Sequence, residues 1–103
     1  MNSALLTIDD FSSKNTPAMV DYLKEKNIKV IFFATGEKVE QFYDEAVYAL
    51  KNGMIVGNHS YSHPGFSSLT LEECIAEIEK CDRVLDKLYK DSGVKRVYKP
   101  FRF

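Results

Sequence analysis

His59 and His63 are the only histidines in the chain and stand four residues apart. On a helical turn that spacing puts both imidazoles on one side, close enough to share one metal ion. Pro64 and Gly65 follow, so no long helix continues there, and Met54-Ile55-Val56 before them reads as a strand. An isolated H-x-x-x-H is equally satisfied by two surface or capping histidines. A second stretch weighs for metal: Asp9-Asp10, directly after the apolar run Ala4-Leu5-Leu6-Thr7-Ile8. Adjacent carboxylates repel unless a cation or strong donors compensate. The bland alternative is a solvated turn with side-chain hydrogen bonds near Ser12 and Ser13. Two imidazoles and one carboxylate, with positions open for water, suit zinc or a similar divalent ion. The second carboxylate then stays off the metal and is available as a base.

Alternating strands and helices are needed to bring these groups together. The first strand is the run ending at Asp9. Thr16 as N-cap and Pro17 in the first turn start a helix with Met19, Tyr22 and Leu23 on its apolar side. It runs to about Lys26, and Asn27 closes it in the left-handed conformation. Val30-Ile31-Phe32-Phe33-Ala34 is the second strand, ended by Thr35-Gly36. One helix follows, with Tyr43, Val47 and Leu50 in register and Asn52-Gly53 as its stop. After the third strand and the histidines, the stretch 67–92 holds the clearest helix. Thr70 and Glu73 make a capping box, and Leu69 is placed to staple onto Cys74. Leu71, Cys74, Ile75, Ile78, Cys81, Leu85 and Leu88 form one stripe expected to be core. Gly93 ends it, and Arg96 to Phe103 begins a fourth strand. Pro100 cannot donate to a ladder, so that strand is expected to be short, bulged or at an edge.

This order predicts an α/β fold with parallel strands and right-handed crossovers. Continuous apolar strands suit a sheet covered on both faces. In such sheets chemistry gathers beyond the carboxyl ends of the strands. Asp9, Asp10, His59, His63 and Arg102 all fall there and are expected on one rim.

Composition bounds the alternatives. With 103 residues, one domain over 1–103 is expected. A net charge of −1 gives no reason to expect a nucleic-acid or anionic-membrane surface. No stretch approaches the roughly 20 apolar residues of a membrane span. No signal peptide is legible after Met1, so either the chain works in the cytoplasm or a leader and flanking parts are missing from it. Cys74 and Cys81, about 10 Å apart along a helical pattern, are too distant to pair and are expected as buried small apolar residues.

Thr7-Ile8-Asp9-Asp10, Gly57-Asn58-His59-Ser60-Tyr61-Ser62-His63-Pro64 and Phe101-Arg102-Phe103 together resemble the first three motifs of the polysaccharide deacetylase (NodB-homology) domain, carbohydrate esterase family four. The resemblance covers essentially the whole chain in the right order. It implies parallel (β/α) units forming the first half of a distorted (β/α) barrel. It implies Asp10, His59 and His63 as ligands of one divalent ion, zinc first, with cobalt or nickel also accepted. Asp9 would be the base that takes a proton from the metal-bound water. Arg102 would hold Asp9 ionised and in place, and Ser60 would brace the histidine loop. The implied partner is an N-acetylated (or O-acetylated) polysaccharide or oligosaccharide: chitin, peptidoglycan, poly-N-acetylglucosamine or acetylated xylan. Family members are often exported or at the cell wall.

The chain departs from the family pattern in three places. Phe11 stands where glycine is usual, and is expected to crowd or line the pocket. The approach to Arg102 is Tyr98-Lys99-Pro100. The chain stops at Phe103, where the family continues towards a late histidine that protonates the leaving amine. It therefore reads as a truncated domain with an open sheet edge that favours self-association. Three other readings compete: a metal-binding but inactive module, an α/β domain whose histidines are incidental, and a related hydrolase of small cyclic amides.

Overall fold

The computed structural model describes residues 5–62, 68–97 and 99–102; at 5, 6, 10 and 29 it describes the backbone alone. The elements are β1 (Leu5–Phe11), α1 (Thr16–Glu25), β2 (Lys29–Ala34), α2 (Gly36–Gln41), α3 (Tyr43–Lys51), β3 (Ile55–Asn58) and α4 (Leu71–Ser92). The three strands form one parallel sheet in the order β1-β2-β3. Each strand lies beside the next one in sequence, which is the winding of a (β/α) barrel wall.

The strands alternate in what they face, although their sequences do not alternate in polarity. Val30, Phe32 and Ala34 of β2 and Val56 of β3 join one core with Val20 and Leu23 of α1, Val39 of α2, Leu50 of α3 and Leu85 of α4. Ile31 and Ile55 are half-buried and lie outside that core, as does the buried Phe33. Helices therefore cover one face, and the expectation of a sheet covered on both is corrected. Right-handed crossovers between sequentially adjacent strands keep every helix on the same side. The other face, the one that lines the inside of a barrel, is mixed apolar and polar. It carries Thr7 and Asp9, paired with Ile31 and Phe33, together with Ile55 and Gly57.

Among the described residues the fourth strand is represented by an isolated parallel bridge, Asn58 with Phe101. The proline costs the pairing nothing, because its carbonyl accepts from the Asn58 N–H at 2.8 Å and Arg102 donates the return bond to the Asn58 carbonyl at 2.9 Å.

The single helix expected after Gly36 is two. The chain breaks at Phe42 (φ −122°, ψ 56°) between α2 and α3. No glycine or proline marks the break. It lets α2 stay beside α4 while α3 turns to lie between α1 and α4. α1 starts at Thr16, the residue expected as its cap: Asn15 is the N-cap, and the Thr16 hydroxyl instead accepts from the Ser13 N–H at 3.0 Å. Asn27 closes the helix in the left-handed region, at φ 57°. Phe11 lines none of the described clefts. It is buried, its ring 4.5 Å from that of Phe32, so it belongs to the helix-side core.

α4 follows its sequence signals at both ends. Thr70 Oγ1 accepts from the Glu73 N–H at 3.1 Å, Glu73 Oε1 accepts from the Thr70 N–H at 2.9 Å, and Gly93 closes the helix at φ 70°. Its stripe is core only from Cys81 onward. Leu71 is 76% exposed and Ile75 44%. Cys81 is fully buried and Cys74 partly so, and both are free thiols. Removing the cap hydroxyl with Thr70→Ala is expected to cost about 1 kcal/mol in urea unfolding at neutral pH. The Thr70 N–H first, and the Thr70 hydroxyl after it, hold the Glu73 carboxyl below its ordinary range, and Thr70→Ala removes the second of these. The carboxylate's share of the cap is therefore present above the unfolded carboxylate pKa and fades as pH falls through the folded one. The Thr70→Ala deficit should shrink correspondingly in acid.

Candidate functional site

Asp9 is placed by a register slip. Asp9 pairs with Phe33 and Phe11 with Ala34, so β1 carries one more residue than β2, and that residue is Asp10. Bulges of this kind bend a strand end and re-aim what it carries. The Asp10 side chain lies outside the described residues.

Arg102 reaches Asp9 across the inner face. Its Nη1 donates to Asp9 Oδ1 at 3.0 Å and its Nη2 to Thr7 Oγ1 at 3.3 Å, while its guanidinium carbon sits 4.5 Å from the centre of the Phe33 ring. Arg102 and Asp9 side chains are 42% and 41% exposed. An ion pair that open is worth roughly 0–1 kcal/mol, so its consequence is orientation rather than stability. The pair, the Thr7 hydroxyl and the aromatic face fix the guanidinium from three directions. Thr7 and Phe33 were not among the expected site residues. Their signal was available only as parity: both share the Asp9 face of the sheet.

His59 sits at the end of β3, 3% exposed. Its N–H donates to the Ala34 carbonyl at 2.9 Å, anchoring it to the end of β2. Its Nδ1 lies 2.9 Å from the Arg102 carbonyl oxygen. A carbonyl only accepts, so Nδ1 carries the proton and Nε2 is the basic nitrogen. The histidine loop is not a helical turn. Ser60 is in the left-handed region at φ 66°, and its N–H donates to Asn58 Oδ1 at 2.8 Å. The described part of the stretch, residues 59–62, therefore does not follow helix periodicity. His63 lies outside the described residues.

Asn58 ties the loop to everything around it. Besides the Ser60 bond, its Nδ2 donates to the Ile78 carbonyl of α4 at 2.9 Å, and its backbone holds the segment that carries Arg102. Beyond the loop, the Tyr61 hydroxyl donates to Glu40, which pushes its pKa up to about 12 and keeps it protonated at neutral pH. Cys81 donates to the Ala34 carbonyl at 3.5 Å. Burial pushes the thiol up to about 12, so it is a packed donor, not a nucleophile.

Gly57 admits the Arg102 segment. A Cβ there would come within 2.8 Å of both Cγ and the carbonyl oxygen of Pro100 and 3.2 Å of the Phe33 ring. Gly57→Ala is expected to destabilise by about 1–3 kcal/mol, as overpacking does. Urea unfolding checks the value.

Among the described residues no three His, Cys, Asp or Glu side chains converge as a metal cluster. Of the three expected ligands only His59 has a described side chain. The described clefts lie elsewhere, one of them at the amino end of β3, lined by Leu50, Met54, Ile55, Tyr89, Val94 and Val97 among others. No helix among the described residues is long and apolar enough to cross a membrane.

The polysaccharide deacetylase family model matches residues 1–101. The chain belongs to the polysaccharide deacetylase family. A peptidoglycan-N-acetylglucosamine deacetylase of Bacillus cereus is 36% identical over 84 residues, covering 81% of this chain and 30% of that protein. The peptidoglycan deacetylase PdaC of Bacillus subtilis superposes with a TM-score of 0.80 at 29% identity, over 97% of this chain and 48% of that one. A mutant of a family 4 carbohydrate esterase pseudoenzyme, with restored enzymatic activity, superposes equally well, at a TM-score of 0.80 and 28% identity. This deacetylase-family chain thus spans less than half the length of these relatives. Its sheet is part of their (β/α) barrel.

Proposed function

We propose that the protein hydrolyses the N-acetyl group of a polysaccharide, with one divalent ion, zinc first, held by Asp10, His59 and His63. One residue carries this reading. Arg102 touches both halves of the chemistry at once: its guanidinium is on Asp9 and its carbonyl on His59 Nδ1. That carbonyl leaves Nε2 as the basic nitrogen, the protonation state a metal-binding imidazole requires, and a backbone carbonyl is the usual outer partner of such a histidine. The one ligand with a described side chain therefore fits the ion.

Bound there, the ion supplies Lewis-acid chemistry: it polarises the acetamide carbonyl and acidifies a water. The chain's own residues do the rest. Asp9 accepts the proton of the attacking water at a carboxylate oxygen, the other oxygen side being steered by Arg102. Water oxygen adds to the acetamide carbon, the C–N bond breaks, and acetate and a sugar amine leave. The amine takes up a proton as it departs, from a donor other than His59 and His63, which are assigned to the ion. Ser60, left-handed and bonded to Asn58, holds the histidine loop.

The sugar is proposed as an N-acetylated residue of peptidoglycan or of a chitin-like chain, since two of the relatives named above are peptidoglycan deacetylases. A second reading, a metal-binding module that does not hydrolyse, is favoured by the similarity to a pseudoenzyme. Acetate release from peptidoglycan and from N-acetylglucosamine oligomers decides between them. Release that stops with a chelator and returns with zinc supports the hydrolase. Zinc bound without acetate supports the second reading, and no zinc bound removes both.

A further inference from the structure

The histidine loop is gripped from outside by two helices, at residues that make no contact with the proposed reaction. The first two amides of α2 donate into the loop: Gly36 N–H to the Ser60 carbonyl at 3.1 Å and Glu37 N–H to the Tyr61 carbonyl at 3.0 Å. A helix start leaves such amides without partners, and here the loop itself satisfies them. The Tyr61 ring lies where a Gly36 Cβ would be. Gly36 is not in the left-handed region, so its backbone does not ask for glycine. Alanine is the better helix former, which leaves room for the ring as the reason for glycine. Lys80 of α4 closes over the ring, its Nζ 3.9 Å from the centre. One residue further on, Glu77 Oε1 of α4 accepts from both the N–H and the hydroxyl of Ser62, each at 2.9 Å.

We infer that Gly36, Tyr61 and Glu77 are positioning residues for the metal grip. The loop that carries His59 and His63 is held between the first turn of α2 and the flank of α4. This inference rests on the proposed metal site for its consequence, while the clamp itself stands on contacts in the metal-free chain. Three successive loop residues, Ser60, Tyr61 and Ser62, are restrained by backbone, ring and carboxylate contacts, which holds the segment directly after His59. The ring and the Glu77 oxygen are the parts that matter, not the Tyr61 hydroxyl or the Glu77 charge.

The test uses Tyr61→Ala and Glu77→Ala, with Tyr61→Phe and Glu77→Gln as conservative partners that keep the ring and the accepting oxygen. Both positions are partly exposed, and Gly36→Ala is added as the bulkier change at a buried position. The first readout is hydrogen exchange in metal-free protein at the amides of His59 and Ser60, which are bonded to Ala34 and Asn58. Exchange there should rise at least about tenfold in both alanine variants, with β2 amides unchanged, and match the wild type in the Phe and Gln variants. The second readout is zinc affinity by chelator competition. It should fall about 10–100-fold in the alanine variants and be kept in the conservative ones. Unchanged exchange overturns the clamp. Raised exchange with unchanged zinc affinity overturns the positioning role. If wild-type protein binds no zinc, the metal reading fails, and exchange alone decides the clamp.

Discussion

Asp9→Asn lowers the rate of acetate release by about 10²–10⁴-fold, the usual contribution of a positioned base. The substitution is nearly isosteric and leaves an oxygen that can still accept from Arg102 Nη1. Folding should be almost untouched, because the ion pair it replaces is open to solvent on both sides. Zinc affinity should also persist, since Asp9 is not proposed as a ligand. Arg102→Ala gives the matching result from the other partner. It removes the guanidinium from Asp9, Thr7 and Phe33 but keeps the backbone carbonyl that sets the His59 tautomer. Turnover should therefore fall while zinc stays bound. Steady-state kinetics beside chelator competition separates the two effects. Joint loss of both in Asp9→Asn would move Asp9 from base to ligand.

His59→Ala has the larger effect on metal. A structural zinc site gains on the order of 10–16 kcal/mol from its ligand set, so one lost ligand is worth several kcal/mol, or more than about 10²-fold in affinity. The imidazole is buried and donates to the Arg102 carbonyl, so its loss also leaves that carbonyl without its donor. His59→Gln keeps a side-chain donor and should recover much of the metal-free stability without recovering zinc. That contrast, read by thermal unfolding with and without zinc, distinguishes a ligand from a packing residue. Equal zinc-induced stabilisation in wild type and His59→Ala would make the histidine incidental.

Much of this was legible in local pattern. The continuous apolar runs of β1, β2 and β3 and the strand-helix alternation gave a parallel α/β sheet. The Thr70 and Glu73 box and Gly93 bounded α4 to the residue. The likeness of the Asp9, His59 and Arg102 stretches to deacetylase motifs agrees with a family match over residues 1–101. What escaped lies in contacts between residues distant in sequence. The stripe from Leu71 to Leu88 reports an amphipathic face, but only its second half is buried. Phe11 looked like a pocket residue because it follows the acids. The register slip at Asp10 belongs to pairing with β2, and Phe11 ends up against Phe32. The break at Phe42 has no glycine or proline to announce it. The histidine spacing suggested a helical turn. The left-handed Ser60 is set by Asn58 and by α2, neither of which a window around the histidines contains.

The proposed chemistry requires a single ion shared by the first and third loops. Anomalous diffraction at the zinc edge, from crystals of the protein grown with zinc, locates that ion directly. The expected result is one zinc per chain at about 2.0–2.1 Å from His59 Nε2, completed by His63 and a carboxylate oxygen of Asp10. Zinc absent from that rim, or bound there through His59 Nδ1 with the Arg102 carbonyl released, contradicts it.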